Sequence, residues 1–195
     1  ATGTGATQPI CDLSTTSLSY GLVTTGQSLD RSFTIMNGGG GTLSGSVSAS
    51  CPAYAIIAGA GVFNLASGQT RTVTVRFSPT SFGPQNCVID LGTGCPTDVN
   101  ASGTGAVGFA GSVRPIMLAS GCNGGAGCHG FSQPDITVYA EAVTRTNAGN
   151  PPASLLLTKP GAPPADHGGG DFGNWQTGQP DYNTVLLWIQ QGVRP

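Results

Sequence analysis

Two thiols and an imidazole lie close together in the stretch CNGGAGCHG, as Cys122, Cys128 and His129. Thiolates and imidazoles bind metal ions, and thiols also form disulfides or covalent links to cofactors. Five residues separate the two cysteines, and four of these five are glycine or alanine. The one other histidine, His167, precedes three glycines in the stretch DHGGG. These four side chains are therefore the candidates for metal or cofactor chemistry.

The pair Cys128-His129, with Cys122 before it, resembles the haem-attachment motif of c-type cytochromes. In such motifs two cysteines form thioether bonds to the haem, and the histidine after the second cysteine ligates the iron. The usual motif has two residues between the cysteines, so the five found here are a departure that a glycine-rich bulge can accommodate. The resemblance implies one covalently bound haem c, with His129 as the proximal iron ligand.

The sixth iron ligand is expected to be His167. Small cytochromes c commonly use a methionine that follows the attachment motif, but Met36 and Met117 both precede it. His167 lies between the motif and the last predicted helix, and the glycines after it would let the backbone approach the haem closely. Lys159, the only lysine of the chain, lies in the same interval and is the alternative ligand.

Two other interpretations of these residues stay open. Cys122 and Cys128 could form a disulfide, since six cysteines pair evenly into three bridges and His129 would then be a surface residue. A zinc site made of both cysteines, His129 and His167 has suitable ligand types. However, adjacent Cys and His ligands and a five-residue gap fit poorly with the usual spacing of zinc ligands.

Composition limits the classes of protein to consider. At 195 residues the chain can form two small domains, each with a modest core. Only 8% of the residues are charged, the net charge is -2 and 32 residues are glycine, which is typical of exported β-rich proteins. This charge argues against nucleic acid as a partner, because phosphate binding needs clustered Lys and Arg. No apolar run reaches the roughly twenty residues of a transmembrane helix.

The sequence of residues 11–105 predicts a β-sandwich, and a flexible segment is expected before it over residues 1–10. Short alternating segments are separated by turns rich in Gly, Ser and Asn, as expected for half-buried strands. The predicted strands are Ser17–Val23, Arg31–Met36, Leu43–Ser48, Arg71–Phe77, Cys87–Leu91 and Asp98–Ser102. The phrases SLSYGLVTTGQSLDRSFTIMNGG and LASGQTRTVTVRFSPTSFG resemble the immunoglobulin-like domains of the choice-of-anchor D and abnormal-spindle/hydin group. That resemblance implies an attachment or spacing role and no catalytic residues.

The topology implied by this resemblance brings four cysteines together in pairs. It places Cys11 near Cys95, at the starts of the first and last strands, and Cys51 near Cys87. We therefore expect the bridges Cys11–Cys95 and Cys51–Cys87, although four cysteines allow three connectivities and the sequence alone does not choose between them. Such bridges, together with six cysteines in all, indicate an oxidising compartment.

Residues 106–195 predict helices joined by loops rich in Gly and Pro. Helices are expected over Ser112–Ala119, Pro134–Arg145 and Ser154–Thr158. A last helix is expected to have Asp181 as its N-cap and to end at Gly192. Together with the CHG element, the strings VRPIML, SLLLTKP and PDYNTVLLWIQQGV resemble a class I-like cytochrome c domain. In such a domain Trp175, Trp188, Leu155–Leu157 and Phe131 would pack around the haem.

The predicted fold class is therefore an all-β immunoglobulin-like sandwich followed by a mainly α, cytochrome c-like haem domain. The predicted function is electron transfer by an exported monohaem cytochrome c, with the sandwich as a positioning or docking module. Its partners would be other redox proteins or a multi-subunit electron-transfer assembly. A haem-based peroxidase or redox or gas sensor is one alternative, and a structural attachment protein without haem is another. Because the chain starts at Ala1 without a leader, we expect a removed signal peptide and a periplasmic, cell-surface or extracellular location.

Overall fold

The computed structural model describes residues 8–120, 136–158 and 175–195. The chain divides into two compact units. Unit 1 covers Ala1–Gly105 and unit 2 covers Ala106–Pro195.

The described residues of unit 1, from residue 8 onwards, form nine strands whose side chains alternate between core and solvent, as the period of a strand requires. In the strand Thr70–Phe77, for example, Val73, Val75 and Phe77 are fully buried and the residues between them face outwards. The strands are β1 (Cys11–Leu13), β2 (Ser17–Thr24), β3 (Leu29–Asn37), β4 (Thr42–Val47), β5 (Tyr54–Ala58), β6 (Gly61–Ala66), β7 (Thr70–Phe77), β8 (Gly83–Ile89) and β9 (Val99–Ala106).

These strands form a two-layer sandwich. One sheet has the order β1-β3-β7-β5, and its neighbouring strands pair antiparallel. The other layer contains β2-β9-β8 and the pair β4-β6, which a bridge between Ser48 and Asp90 connects. The immunoglobulin-like sandwich that the sequence predicts for this part of the chain is confirmed.

An aromatic cluster fills the interior of unit 1. The Tyr54 and Phe77 rings stack with centroids 4.7 Å apart, and the Tyr20 ring meets both of them at 5.5–5.7 Å. The Tyr20 hydroxyl donates to the Val75 carbonyl at 2.7 Å, and the Tyr54 hydroxyl donates to the Gln85 carbonyl at 2.7 Å. Each buried phenol therefore has the hydrogen-bond partner that makes its burial favourable.

Asn37 is a fully buried polar residue at the end of β3. Its Nδ2 donates to the carbonyls of Gly41 and Leu65 at 3.2 and 3.0 Å. Its Oδ1 accepts from the backbone N–H groups of Ile10 and Gly39 at 3.2 and 3.1 Å. One side chain thus joins the chain entry before β1, the β3–β4 turn and strand β6.

Two disulfides cross-link unit 1. Cys11, the first residue of β1, is bonded to Cys95 in the loop before β9, with Cα atoms 5.2 Å apart. Cys51, between β4 and β5, is bonded to Cys87 on β8, with Cα atoms 5.8 Å apart. These are the two pairs that the sandwich topology implied. Disulfides of this kind form and persist in oxidising compartments, so the chain is an exported protein.

The described part of unit 2 contains short helical elements. A π-helical turn, Phe109–Val113, leads into α1 (Arg114–Ala119), and α2 (Tyr139–Val143) lies after the first gap. A 3₁₀ turn, Pro151–Ala153, precedes α3 (Leu155–Thr158), and α4 (Pro180–Gln190) is the last helix. None of the helices among the described residues combines the length and apolar character needed to cross a membrane.

The core of unit 2 is centred on Trp188, which is fully buried. Its ring lies 5.5 Å from that of Phe109 and 6.4 Å from that of Tyr139. Its indole N–H donates to the Arg194 carbonyl, and the Tyr139 hydroxyl donates to the Val193 carbonyl. Val193 and Arg194 are thereby held by helices α2 and α4.

The combined fold class predicted from the sequence is wrong, and so is the assignment to a class I-like cytochrome c domain. The described architecture is mainly β, and its helical part consists of short segments. Trp188, expected at a haem, packs on Phe109 and Tyr139 instead. Trp175 is also buried, and its indole N–H donates to Ser120 Oγ at 2.9 Å. Because protein atoms accept a hydrogen bond from both indoles, the observed packing gives no sign of a haem pocket among the described residues.

Candidate functional site

The residues predicted to carry chemistry lie outside the described part of the chain. Cys122, Cys128 and His129 fall in the first internal gap, and Lys159 and His167 fall in the second. The haem attachment and iron ligation assigned to them therefore stay predictions. Among the described residues, no group of three His, Cys, Asp or Glu side chains could hold a metal ion.

Shallow grooves on unit 1 offer little chemistry. One groove of about 560 Å³ runs beside the Cys51–Cys87 disulfide and is lined mainly by Ser, Asn and Val side chains from β8 and β9. A second, of about 480 Å³, lies along Gly38–Gly40 and Gln8. Neither groove is lined by a carboxylate, an imidazole or an amine. Both therefore lack the groups that acid–base or nucleophilic catalysis needs.

Two exposed apolar residues of unit 1 flank the β5–β6 turn. Val62, at the start of β6, is 72% exposed, and Ile57, near the end of β5, is 44% exposed. Gly59 and Gly61 of the turn between them have φ angles of +77° and +79°, which strongly favour glycine. The β5–β6 tip, defined here as residues 57–62, is thus a compact turn that presents apolar side chains to solvent.

Arg71 fixes the conformation of the β5–β6 tip. Its guanidinium donates to the carbonyls of Gly59, Ala60 and Val62 at 3.0, 2.5 and 3.1 Å. The same group lies 6.0 Å from the centre of the Phe63 ring, within the range of a cation–π contact. Several hydrogen bonds from one planar cation hold the turn in a single shape, so the exposed valine and isoleucine are presented by a preorganised surface.

Charges and proline blunt some edges of the sandwich. Exposed strand edges tend to pair with other chains, and natural proteins protect them with charged residues, proline or bulges. Strand β1 carries Asp12, the part of β3 that extends beyond β1 carries Asp30 and Arg31, and β8 carries Pro84. Strand β5 has neither charge nor proline and is irregular only at the bulge between Ile56 and Ala58. The edge next to the β5–β6 tip is therefore suited to contact with another protein.

The ion pair and the shifted tyrosines of unit 1 serve its stability. Arg76 Nε donates to Asp30 Oδ1 at 2.8 Å, and this hydrogen bond lowers the pKa of the exposed Asp30 carboxyl. Burial raises the pKa of Tyr20 and raises that of Tyr54 to about 12. Each tyrosine is thus kept neutral in the folded state. These shifts reflect burial and pairing within the sandwich and do not indicate catalytic groups.

Sequence reasoning missed Arg71 and Asn37, although both carry a recognisable signal. Arg71 lies two residues before Val73 on the core-facing side of β7, and Asn37 lies two residues after Ile35 on the core-facing side of β3. A polar residue at an inward position must find partners inside the protein. In both cases a break in the hydrophobic alternation, rather than a motif, was the signal that could have predicted the hydrogen bonds of Arg71 and Asn37.

The predicted electron-transfer function is wrong. The structure shows a β-sandwich with two disulfides and, in the described residues, neither a cytochrome-like helical domain nor a metal-binding cluster. A cytochrome with haem iron is not supported, whereas the immunoglobulin-like fold and the disulfides are. The alternative of a structural attachment protein agrees better with these findings.

Comparison with known proteins gives distant structural similarities. No family model matches the chain, and no curated protein matches it. It is similar to the ASH/PapD-like domain of human CEP192, with 14% identity over 50% of this chain and 85% of that one, at a TM-score of 0.40. A protein of unknown function from Porphyromonas gingivalis W83 is 17% identical over 49% of this chain and 46% of that one, with a TM-score of 0.42.

A third similarity is to the E. coli chaperone DraB, which is 10% identical over 58% of this chain and 62% of that one, with a TM-score of 0.35. The chain spans less than two thirds of the length of the second and third of these proteins. At this distance the similarities do not identify a function, and the immunoglobulin-like architecture stands on the strand order and disulfides of the chain itself.

Proposed function

We propose that this chain is an exported structural attachment protein that acts without haem. The observation that carries the proposal is that unit 1 has a tightly fixed interior and exposed apolar residues on its surface. The interior contains a packed hydrophobic core, two disulfides and the Asn37 network. Some of the exposed apolar residues lie at the β5–β6 tip, whose conformation Arg71 fixes. Such an arrangement suits a module that holds a partner or spaces another domain.

The partner that docks at the β5–β6 tip is a second copy of this chain. In a two-fold contact between identical chains, residues near the axis face their own counterparts, so any charge there would meet a like charge. Residues 53–66 contain no charged side chain, and the Arg71 guanidinium that reaches the tip is engaged by three of its carbonyls. The exposed Ile57 and Val62 can pack on their equivalents. This edge is therefore compatible with pairing between two copies, whereas the edge formed by Asp30 and Arg31 is less so.

The location follows from the same proposal. Disulfide-dependent attachment requires an oxidising space outside the cytoplasm, which for this chain is the periplasm or the cell surface. Fractionation of the native host, with detection of the oxidised chain, would separate these two locations.

The absence of haem is tested by intact mass and by a pyridine haemochrome spectrum of the exported chain. We expect the mass of the polypeptide less the hydrogens lost in disulfide formation, and no haemochrome bands. A mass larger by one haem would overturn the proposal and would support attachment through Cys122 and Cys128. A control in which both cysteines are replaced by serine must then lose the added mass.

Self-association is tested by sedimentation of the purified, oxidised full chain over a wide range of concentrations. We expect a concentration-dependent dimer that Ile57→Lys or Val62→Lys weakens by about tenfold or more, equivalent to at least ~1.4 kcal/mol. Val88→Lys is the matched control, because Val88 is also exposed, at 51%, but lies on β8. A wild-type chain that remains monomeric at every concentration, or a Val88 variant that dissociates equally, would contradict docking at the β5–β6 tip.

A further inference from the structure

The positions of the two disulfides determine how tension would pass through unit 1. The Cys11–Cys95 bond joins the first residue of the first strand to the loop directly before the last strand, β9. The elements β2–β8 all lie between these two cysteines. Strand β9 then continues directly into unit 2.

We infer that unit 1 is a load-bearing spacer in which the Cys11–Cys95 bond carries tension past the sandwich. Force applied between the segment before Cys11 and unit 2 passes from Cys11 through the sulfur atoms to Cys95. The 84-residue separation between the two cysteines is therefore excluded from the stretched path. This inference rests on the proposed attachment function, because an attachment protein is the kind of protein that is loaded along its chain.

The segment before Cys11 would transfer tension to the Cys11–Cys95 bond. Of the described residues before Cys11, Gln8 and Ile10 form hydrogen bonds with the β3–β4 turn, from Gly38 N to Ile10 O, from Gly40 N to Gln8 O and from Ile10 N to Asn37 Oδ1. These bonds can break one at a time under tension, and the next point of attachment is the covalent bond at Cys11. Beyond Cys95, the residues of unit 1 that can be drawn out are 96–105.

The bond that carries the load is also shielded. Cys95 is 5% exposed and belongs to the hydrophobic core of unit 1. Attack by a thiolate requires access to one of the two sulfur atoms, so burial on this side restricts reduction of the folded protein. Cys11 is only partly buried, so the protection that the folded sandwich gives concerns the Cys95 end of the bridge.

The Cys51–Cys87 bond is nested inside the outer loop. Both of its cysteines lie between Cys11 and Cys95, so it bears no tension while the outer bond is intact. If the outer bond is absent, the inner bond still excludes its own separation of 36 residues from the stretched path. The two bonds therefore define three different lengths to which the chain can be stretched.

Single-molecule pulling of the full chain between handles at its two ends tests the inference. A fully extended chain spans about 3.3–3.6 Å per residue. The oxidised wild type should show no gain in contour length from β2–β8. The double variant Cys11→Ala/Cys95→Ala should gain about 165 Å, and a variant that lacks all four cysteines of unit 1 should gain about 290 Å. Unit 2 contributes equally to every variant, so differences between variants isolate unit 1.

The matched control is the double variant Cys51→Ala/Cys87→Ala, which keeps the outer bond and should stretch like the wild type. Release of about 290 Å by the oxidised wild type, or by this control, would overturn the load-bearing inference. That outcome leaves the attachment proposal standing, since mass and sedimentation test it separately. Conversely, an added haem in the mass spectrum would overturn the attachment proposal without altering the pulling lengths.

Discussion

Replacing Asn37 with alanine tests whether one buried amide organises the sandwich. The substitution removes four hydrogen bonds and leaves the fully buried site with no polar side chain. A typical hydrogen bond contributes about 0.5–1.5 kcal/mol net, and a buried group left without a partner costs about 1–3 kcal/mol. The Leu65 carbonyl is the buried partner and should bear the full cost, whereas the other three partners are partly accessible to water. We expect a loss of about 3–5 kcal/mol.

Guanidinium denaturation of the full, oxidised chain measures this loss. Far-UV circular dichroism follows the β-sandwich, and tryptophan fluorescence reports on unit 2 alone, because Trp175 and Trp188 are the two tryptophans of the chain. The circular dichroism midpoint should fall by about 1–2 M, and the fluorescence transition serves as an internal control. Asn64→Ala is the matched variant, since Asn64 lies on the neighbouring β6 and accepts a hydrogen bond from Ser44, but is exposed.

The reasoning fails if the Asn37 variant loses less than about 1 kcal/mol, which would mean that water replaces the amide at no cost. It fails equally if Asn64→Ala is as damaging as Asn37→Ala. In that case burial would not be the property that makes Asn37 important.

Other substitutions test the packing and electrostatics of unit 1. Tyr54→Phe removes the hydroxyl that donates to Gln85 and should cost about 1 kcal/mol in the same denaturation assay. Burial raises the pKa of Tyr54 from 10 to about 12, so its stabilising effect is complete below pH 10 and is lost as the pH rises to 12. The fall in unfolding free energy above pH 10 should be shallower in Tyr54→Phe, and an unchanged slope would contradict the assigned pKa. Gly103→Ala places a Cβ 2.5 Å from Phe77 Cε1 and should cost about 1–3 kcal/mol by overpacking. Gly111→Ala, where nothing lies within 4 Å, is its control, and an equal loss in both variants would refute the packing argument.

Hydrophobic alternation was sufficient to locate much of the sandwich. The predicted strands Ser17–Val23 and Arg71–Phe77 each differ by one residue from the observed β2 and β7. Strand β8 starts at Gly83, four residues before its predicted start. The prediction missed these residues because Gly83 and Pro84 are typical of turns, although both lie within the strand. Strands β5 and β6 were not predicted, since the run from Tyr54 to Ala66 is apolar almost throughout and its alternation is hidden.

Helix boundaries were less predictable. The last helix begins at Pro180 and has no side-chain cap, whereas the sequence suggested Asp181 as its N-cap. Proline is favoured in the first turn because its missing N–H would have no partner there. Gly192 has a φ of +89°, in agreement with its predicted place at the end of this helix. Pro134–Arg145 contains only the short helix Tyr139–Val143 among its described residues.

The functional error arose from a short motif. The motif formed by Cys122, Cys128 and His129 shows that these side chains are near one another in sequence. It carries no information about the residues that surround them in the fold. The described aromatic residues, such as Trp188, are already satisfied by protein partners. Arg71, by contrast, matches no motif, and its role depends on carbonyls at positions 59, 60 and 62 that only the fold brings to it.

The Asn37 network also affects how the protein ages. Asn37 is followed by Gly38, and an Asn-Gly pair in a free chain deamidates readily, because the glycine nitrogen attacks the side-chain amide to form a succinimide. In the folded chain the Gly38 N–H donates to Ile10, and hydrogen bonds at both amide atoms hold the Asn37 side chain in place. Attack is therefore restricted to molecules that have opened. The resulting aspartate lacks the N–H donors that bond the carbonyls of Gly41 and Leu65. Deamidation during prolonged unfolding is therefore permanent and destabilises the refolded protein.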